Sequence, residues 1–263
     1  MAKLTGKVAV ITGAAMGLGA GIAKVYAKYE AKLALIDVSP ELEPFAEELR
    51  KEGAEVITFK ADVTKPEELK AAVEQTIAHY GKVDVLDCIA GVCRLGNFLE
   101  MSDETRDFHI DVNIKGVWNI TKAVLPHMLQ NGGGSIVVMS SVTGDLVADP
   151  GEVAYALSKA ALIGFTKALA VEYAQQGIRV NAMQLGYART PMVDGMARQT
   201  NPDDPESVLT DMAKAIPMRR LAAPTEIGEL AAFLGSDESS YLTGSQTVID
   251  GGSTLPESVS MGV

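Results

Sequence analysis

Two cysteines, Cys88 and Cys93, are all that the 263 residues contain, so a disulfide scaffold is excluded. Three scattered histidines (His79, His109, His127) add no metal-ligand spacing to them, and no metal is expected. Basic residues are outnumbered: 23 Lys and Arg stand against 34 Asp and Glu, a formal net charge of −11 with no basic run. Sequence-independent nucleic-acid binding and attraction to anionic lipid both need clustered cations, so neither partner is favoured. No stretch approaches ~18 uninterrupted apolar residues, which argues against a membrane span. The amino terminus, Met1 to Lys7, has no apolar signal region, and the expected compartment is the cytoplasm. Internal repeats and low-complexity linkers are also lacking.

What is present is an ordinary globular composition, 47% hydrophobic and 22% charged, on a chain long enough to bury a large core. Apolar runs rich in Val and Ile predict strands over 7–12, 32–37, 55–60, 83–90, 135–140, 178–184 and 247–250. Helical patterns lie between them at 18–29, 41–52, 66–80, 102–129, 153–175 and 224–235. Such alternation implies βαβ units, right-handed crossovers and a parallel sheet covered on both faces, read as one domain over 1–263. Segment 187–221 breaks the alternation with Met, Asp and Pro and only weak helical period. Ligands bind beyond the carboxyl ends of strands in open α/β sheets, so this excursion is a lid candidate.

The first strand runs into Thr12-Gly13-Ala14-Ala15-Met16-Gly17-Leu18-Gly19, with a helix following. Glycines there permit a tight turn and close approach of backbone to a pyrophosphate at the helix amino terminus. Asp37 closes the second strand, where a carboxylate can bind both ribose hydroxyls of an adenosine. A 2′-phosphate would meet like charge there, and neither Met16 nor Val38 supplies a compensating cation, so NAD is expected over NADP. The competing reading has Asp37 only capping the turn before Ser39-Pro40.

In Tyr155-Ala156-Leu157-Ser158-Lys159 the phenol and the ammonium fall one helical turn apart on the same face. A phenol ordinarily ionises near pH ~10. A neighbouring ammonium is expected to lower that value and make Tyr155 a general acid or base near neutrality. Ser141 precedes the pair by fourteen residues.

Taken together, these motifs resemble the short-chain dehydrogenase/reductase family in its single-domain form over nearly the whole length. The resemblance rests on the Thr12–Gly19 turn, Asp62-Val63, Asn113, Ser140-Ser141, Tyr155-x-x-x-Lys159, Gly186-x-x-x-Thr190 and Asp250-Gly251-Gly252. It implies a doubly wound Rossmann fold with a seven-stranded parallel sheet, and hydride transfer between NAD(H) and a secondary alcohol or ketone. Tyr155 would then exchange a proton with the substrate oxygen. Ser141 would bond the same oxygen, Lys159 would tune Tyr155 and bind the nicotinamide ribose, and Asn113 would hold a relay water. Gly13, Met16, Gly17, Leu18, Gly19, Asp37, Asp62, Val63, Ala90, Gly91, Gly186 and Thr190 would contact the cofactor. For Asp62 a loop cap before Thr64-Lys65-Pro66 is the rival reading.

The resemblance further implies a homotetramer, with 102–129 and 153–175 packing across one two-fold axis and the last helix and strand across another. Phe108, Ile114, Val117 and Trp118 form an apolar stripe that packs either on the sheet or on a partner, and the tail 253–263 is expected over a neighbouring subunit.

Three features depart from the family pattern. Asn-Asn-Ala-Gly is replaced by Cys88-Ile89-Ala90-Gly91, Pro-Gly by Leu185-Gly186, and the Ser141–Tyr155 interval is one residue longer than usual. Cysteine and isoleucine lack an amide that both donates and accepts, so strand-end bonding and cofactor affinity are expected to suffer. Two alternatives therefore stand beside the NAD-dependent enzyme: a dinucleotide-binding regulatory or scaffold protein, and an NADP-preferring reductase. Val92, Leu95, Leu146, Val147, Tyr187, Met192 and Met196 suggest a substrate pocket tolerant of apolar groups, although the methionines would equally pack a lid.

Overall fold

Side chains of the inner strands alternate between two helical layers throughout the computed structural model, which describes residues 3–256. The seven strands are β1 Val8–Thr12, β2 Lys32–Asp37, β3 Val56–Lys60, β4 Val85–Cys88, β5 Gly134–Ser141, β6 Ile178–Leu185 and β7 Gln246–Ile249. They form one parallel sheet in the order β3-β2-β1-β4-β5-β6-β7. Ala9, Ile11, Leu33, Leu35, Val85, Val137 and Met139 face a core shared with helices α1 Gly17–Lys28, α2 Leu42–Lys51 and α9 Pro224–Gly235. Val10, Ala34, Ile36, Leu86, Ile136 and Val138 face the opposite core. That core is closed by α3 Pro66–Tyr80, α5 Gly116–Gln130 and α6 Val153–Tyr173. Burial on both faces explains why the strands read as continuous apolar runs.

Chain order reverses between β1 and β4, where the connections leave in opposite directions and a crevice opens beyond the strand ends. Close helix packing frames it. A Cβ on Gly21 would lie 2.5 Å from the Pro224 side chain, so α1 and α9 approach at a distance only glycine permits.

Predicted and observed elements differ mainly at three places. The fourth strand ends at Cys88 rather than residue 90, because the Ile89 and Ala90 amides turn to the Thr12 hydroxyl. The long helix expected over 102–129 becomes α4 Asp103–His109, a π-helical segment Ile110–Lys115, and α5. The 187–221 excursion holds two helices, α7 Pro191–Thr200 and α8 Pro205–Ala215, where only weak period was legible. Val193, Ala197 and Leu209 give these helices a small core of their own. Backbone bonds Arg189 N–H to Ala222 O (2.9 Å) and Ala222 N–H to Tyr187 O (3.0 Å) fasten the excursion to the body.

Helix α6 with its 3₁₀ extension is long and apolar enough to cross a membrane by composition, at mean hydropathy 1.3. Leu162, Ile163, Thr166 and Ala170 are buried, whereas Val153, Leu157 and Val171 stay exposed on the same helix. The expected stripe divides similarly: Val117 is buried and Trp118 is exposed beside Phe165, ring centres 6.0 Å apart. Of the tail, 253–256 folds back on Asp250, whose carboxylate accepts from the Gly252 and Thr254 amides at 2.8 and 2.9 Å. The remaining tail residues, 257–263, lie outside the described residues.

Candidate active site

A cleft of about 770 Å³ lies at the β1/β4 switch point. Among its walls are Gly13, Met16, Gly17, Leu18, Gly19, Asp37, Asp62, Val63, Ala90, Gly91 and Thr190, eleven of the residues expected to hold a cofactor. Gly13 has φ +67°, and a Cβ there would lie 2.7 Å from the Ala90 Cα. Any side chain on Gly19 would overlap the Gly13 carbonyl. The turn is therefore compatible only with glycine at these two points. Helix α1 begins at this turn with no side-chain cap and no acid in its first turn. Its exposed N–H groups are thus left for an anion.

Asp37 stands at the far end of the cleft. One oxygen accepts from Ala15 N–H (3.0 Å) and the other from Ser39 N–H (2.9 Å), so the capping role is real. Each carboxylate oxygen retains a second lone pair for a ligand hydroxyl. Val38 beside it is exposed, and the only basic residue on the cleft wall is Arg94, whose guanidinium lies 4.2 Å from the Phe108 ring centre. Asp62 likewise caps its loop, accepting from Thr64 N–H at 2.8 Å, while lining the cleft.

Thr12 holds the backbone at the end of β4. Its hydroxyl accepts from Ile89 N–H (3.1 Å) and Ala90 N–H (3.3 Å) and lies 3.3 Å from the Asp87 carbonyl as donor. One hydroxyl thus uses its single proton and both lone pairs to tie β1 to the end of β4. Cys88 is buried and its Sγ approaches the Thr121 hydroxyl at 3.9 Å. Leu185 in turn extends β6, pairing with Ser141 and Ile249, and its carbonyl accepts from Val142 N–H at 3.0 Å.

A second cavity of about 380 Å³ adjoins the cleft, sharing Leu18, Ile89, Gly91, Thr190 and Met192 with it. Ser141, Tyr155, Lys159 and Gly186 line this cavity. Ser141 sits at the end of β5 and accepts from Thr143 N–H at 3.1 Å. Tyr155 and Lys159 project from one face of α6, the ammonium 5.6 Å from the phenol ring centre. Lys159 is buried and donates to the Met139 carbonyl at 2.9 Å.

Asn113 lines neither space but joins their supports. Its amide donates to the Val92 carbonyl and the Ser158 hydroxyl, both at 2.9 Å, and its oxygen accepts from Val92 N–H at 2.8 Å. The π-helical segment re-aims this residue inward, as such bulges commonly do near functional sites. A Cβ on Gly91 would lie 3.3 Å from the Asn113 oxygen and 3.5 Å from the Lys159 nitrogen, so the two side chains converge there.

One electrostatic expectation reverses. Burial pushes the Tyr155 phenol up rather than down, and the Ser141 hydroxyl, not Lys159, works against that rise. Desolvation also draws Lys159 down to about 8. The Met139 carbonyl holds the ammonium, and little of its charge is spent on the phenol.

The apolar pocket expectation holds in part. Val147, Tyr187, Met192 and Met196 line the second cavity and Val92 the cleft, whereas Leu95 and Leu146 line neither. Residues the sequence reading passed over are Thr12, Cys93, Asp149 and Glu152. Thr12 lies inside the quoted turn, and its β-strand position before glycine was the available signal. Asp149 and Glu152 lie in a loop whose course only the fold defines. His109 is buried as a structural group, accepting from Arg94 N–H at 3.0 Å, and no metal-ligating cluster occurs among the described residues.

Comparison with known proteins gives the family and the fold. Residues 13–254 match the family model described as Enoyl-(Acyl carrier protein) reductase. The chain is 66% identical over 263 residues to Oxidoreductase UcpA of Salmonella typhimurium, covering 100% of both. Carveol dehydrogenase of Mycobacterium avium, solved in complex with NAD, superposes with TM-score 0.92 at 32% identity, over 97% of this chain and 100% of that one. L-Sorbose reductase of Gluconobacter frateurii, solved with NADPH and L-sorbose, gives 0.91 at 31% identity, over 97% and 100%.

Proposed function

The chain belongs to the short-chain dehydrogenase/reductase family, and from that premise we propose an NAD-dependent oxidoreductase acting on a secondary alcohol or ketone. The observation that carries the proposal is the meeting of a glycine-built anion cradle with buried Ser141 and Lys159 and half-buried Tyr155 across shared walls. A bound nicotinamide supplies or accepts the hydride, and the protein supplies position and the proton.

Tyr155 is protonated at neutral pH, as an ordinary phenol already is, and burial raises it further, so it begins as the proton donor to a carbonyl oxygen. Ser141 bonds the same oxygen and stabilises the charge that gathers on it. The Lys159 ammonium, beside the Gly91 turn, binds the ribose hydroxyls and stabilises the phenolate once the proton has left. Asn113 holds the Val92 backbone and Ser158 in place and carries the relay water toward Lys159. Substrate enters beside α7 and α8, whose separate core lets them move against the sheet as a lid.

NAD is preferred over NADP because the Asp37 carboxylate lines the cleft, and Lys60, its register partner on β3, is not among the lining residues. A homotetramer accounts for the apolar outer face of α6 and for exposed Trp118, Tyr241 and Val248 on α5 and around β7. The two departures at Cys88-Ile89 and Leu185 leave the proton-transfer group whole, so the scaffold alternative has less support. Oxidation of NADH and NADPH at equal concentration with a panel of ketones tests the assignment. Turnover with no ketone and no alcohol, in either direction, would return the scaffold reading.

A further inference from the structure

The second cavity is less apolar than its methionines suggest. Glu152, directly before α6, is 4% exposed and lines the space beside Tyr155. One carboxyl oxygen, Oε2, is buried with no hydrogen-bond partner. Its other contact is the Thr143 hydroxyl, and no ion pair among the described residues includes it. A second carboxylate, Asp149, lines the same wall and accepts from the Tyr187 hydroxyl at 3.2 Å.

A buried polar atom without a partner costs free energy, and native structures seldom leave one without a ligand or function. Burial and the Asp149 charge push the Glu152 carboxyl up, and Glu152 in turn raises Tyr155, Tyr187 and Cys93. Glu152, Asp149, Tyr155 and Tyr187 all line the same cavity of about 380 Å³. Lys159, the single cation on that wall, is turned to Met139. An anionic substrate would meet two carboxyls here with no cation free to receive it. A plain hydrocarbon would leave Oε2 unsatisfied.

We propose that Glu152 is a specificity-determining residue, which accepts a hydrogen bond from a hydroxyl adjacent to the reacting carbonyl and, with Asp149, selects hydroxylated ketones over plain and anionic ones. This rests on the oxidoreductase reading above and narrows its substrate class.

Matched probes of one ring size test it: cyclohexanone, 2-hydroxycyclohexanone and 2-oxocyclohexanecarboxylate, each assayed with NADH and with NADPH. The parent is expected to favour the hydroxyketone over cyclohexanone at least tenfold in kcat/KM, and to use the carboxylate least. In Glu152→Gln the hydroxyketone preference should fall below about threefold and the carboxylate should gain on cyclohexanone. A parent preference below threefold overturns the assignment whatever the variant does, and so does a preference that Glu152→Gln leaves unmoved. Activity on cyclohexanone without hydroxyl preference refutes this proposal and leaves the oxidoreductase reading intact. If no probe is turned over, calorimetric titration of 2-hydroxycyclohexanone judges the site by itself, and the oxidoreductase reading is decided by the wider panel of ketones and alcohols. Tighter binding to the parent than to Glu152→Gln supports the site, and equal binding overturns it.

Discussion

Lys159 stands 5.6 Å from the centre of the Tyr155 ring, yet its ammonium donates to the Met139 carbonyl at 2.9 Å. The one-turn spacing on α6 puts both groups on one face, and the neighbouring strand decides which partner the lysine takes. Met139 lies on β5, so the sheet holds the charge in reserve below the phenol. The ammonium is thereby in place to stabilise the phenolate once a substrate oxygen has taken the proton.

Tyr155→Phe removes the donor and little else. We expect NADH affinity within about threefold of the parent, and a fall in turnover of ~10²–10⁴-fold. Steady-state rates with fluorescence titration of NADH measure both. Turnover within about threefold of the parent would exclude Tyr155 as the proton donor.

Burial holds Lys159 near 8, below an ordinary lysine, so the empty site loses charge as pH rises through that value. A ribose that prefers the ammonium raises it again, so binding takes up protons at pH 8 and above. NADH affinity is accordingly expected to weaken above about pH 8 and to be flat below it. Calorimetry in two buffers of different ionisation enthalpy reads the proton uptake, and zero uptake at pH 8.5 contradicts the ribose contact.

Asp37→Ser removes a ribose acceptor and a charge that repels a 2′-phosphate. The ratio of NADP to NAD efficiency should rise by at least tenfold, and Val38→Arg added to it should raise the ratio further. A parent that uses both cofactors equally would show that Asp37 serves only Ala15 and Ser39.

Thr12→Val keeps shape and deletes the hydroxyl that ties Ile89, Ala90 and Asp87 together. Leaving these buried backbone groups unpaired should cost about 1–3 kcal/mol in urea unfolding. NADH binding should weaken as well, because the released turn carries Ala90 and Gly91. A change below about 0.5 kcal/mol would mean the strand end is held by other bonds.

Trp118 is 58% exposed beside Phe165, on the face shared by α5 and α6. Trp118→Glu should lower the mass seen by light scattering from a tetramer toward a dimer or monomer. A parent already monomeric at micromolar concentration removes the basis for that interface.

Several parts of this protein were legible in the order of its residues alone. Helices 66–80 and 224–235 begin with proline, which fixes the first turn, and both matched residue for residue. The strands were legible because a parallel sheet buried on two faces needs unbroken apolar runs. The glycine turn, Asp37 and the Tyr155-Lys159 pair are candidates from local spacing and Ser141 from the family resemblance, and the structure sets them along two adjoining spaces. What chain order could not contain was contact between distant segments. Met139 claims the Lys159 ammonium, and Thr12 ties down the Ile89 backbone, across separations of 20 and 77 residues. Helices α7 and α8 bury Val193, Ala197 and Leu209 only by packing on each other. Glu152 reads as a loop acid in sequence and becomes a buried, unpartnered acceptor only when β5, α6 and the 187–221 excursion close around it. Local geometry is written in spacing. Desolvation, which sets these protonation states, exists only after the chain has folded back on itself.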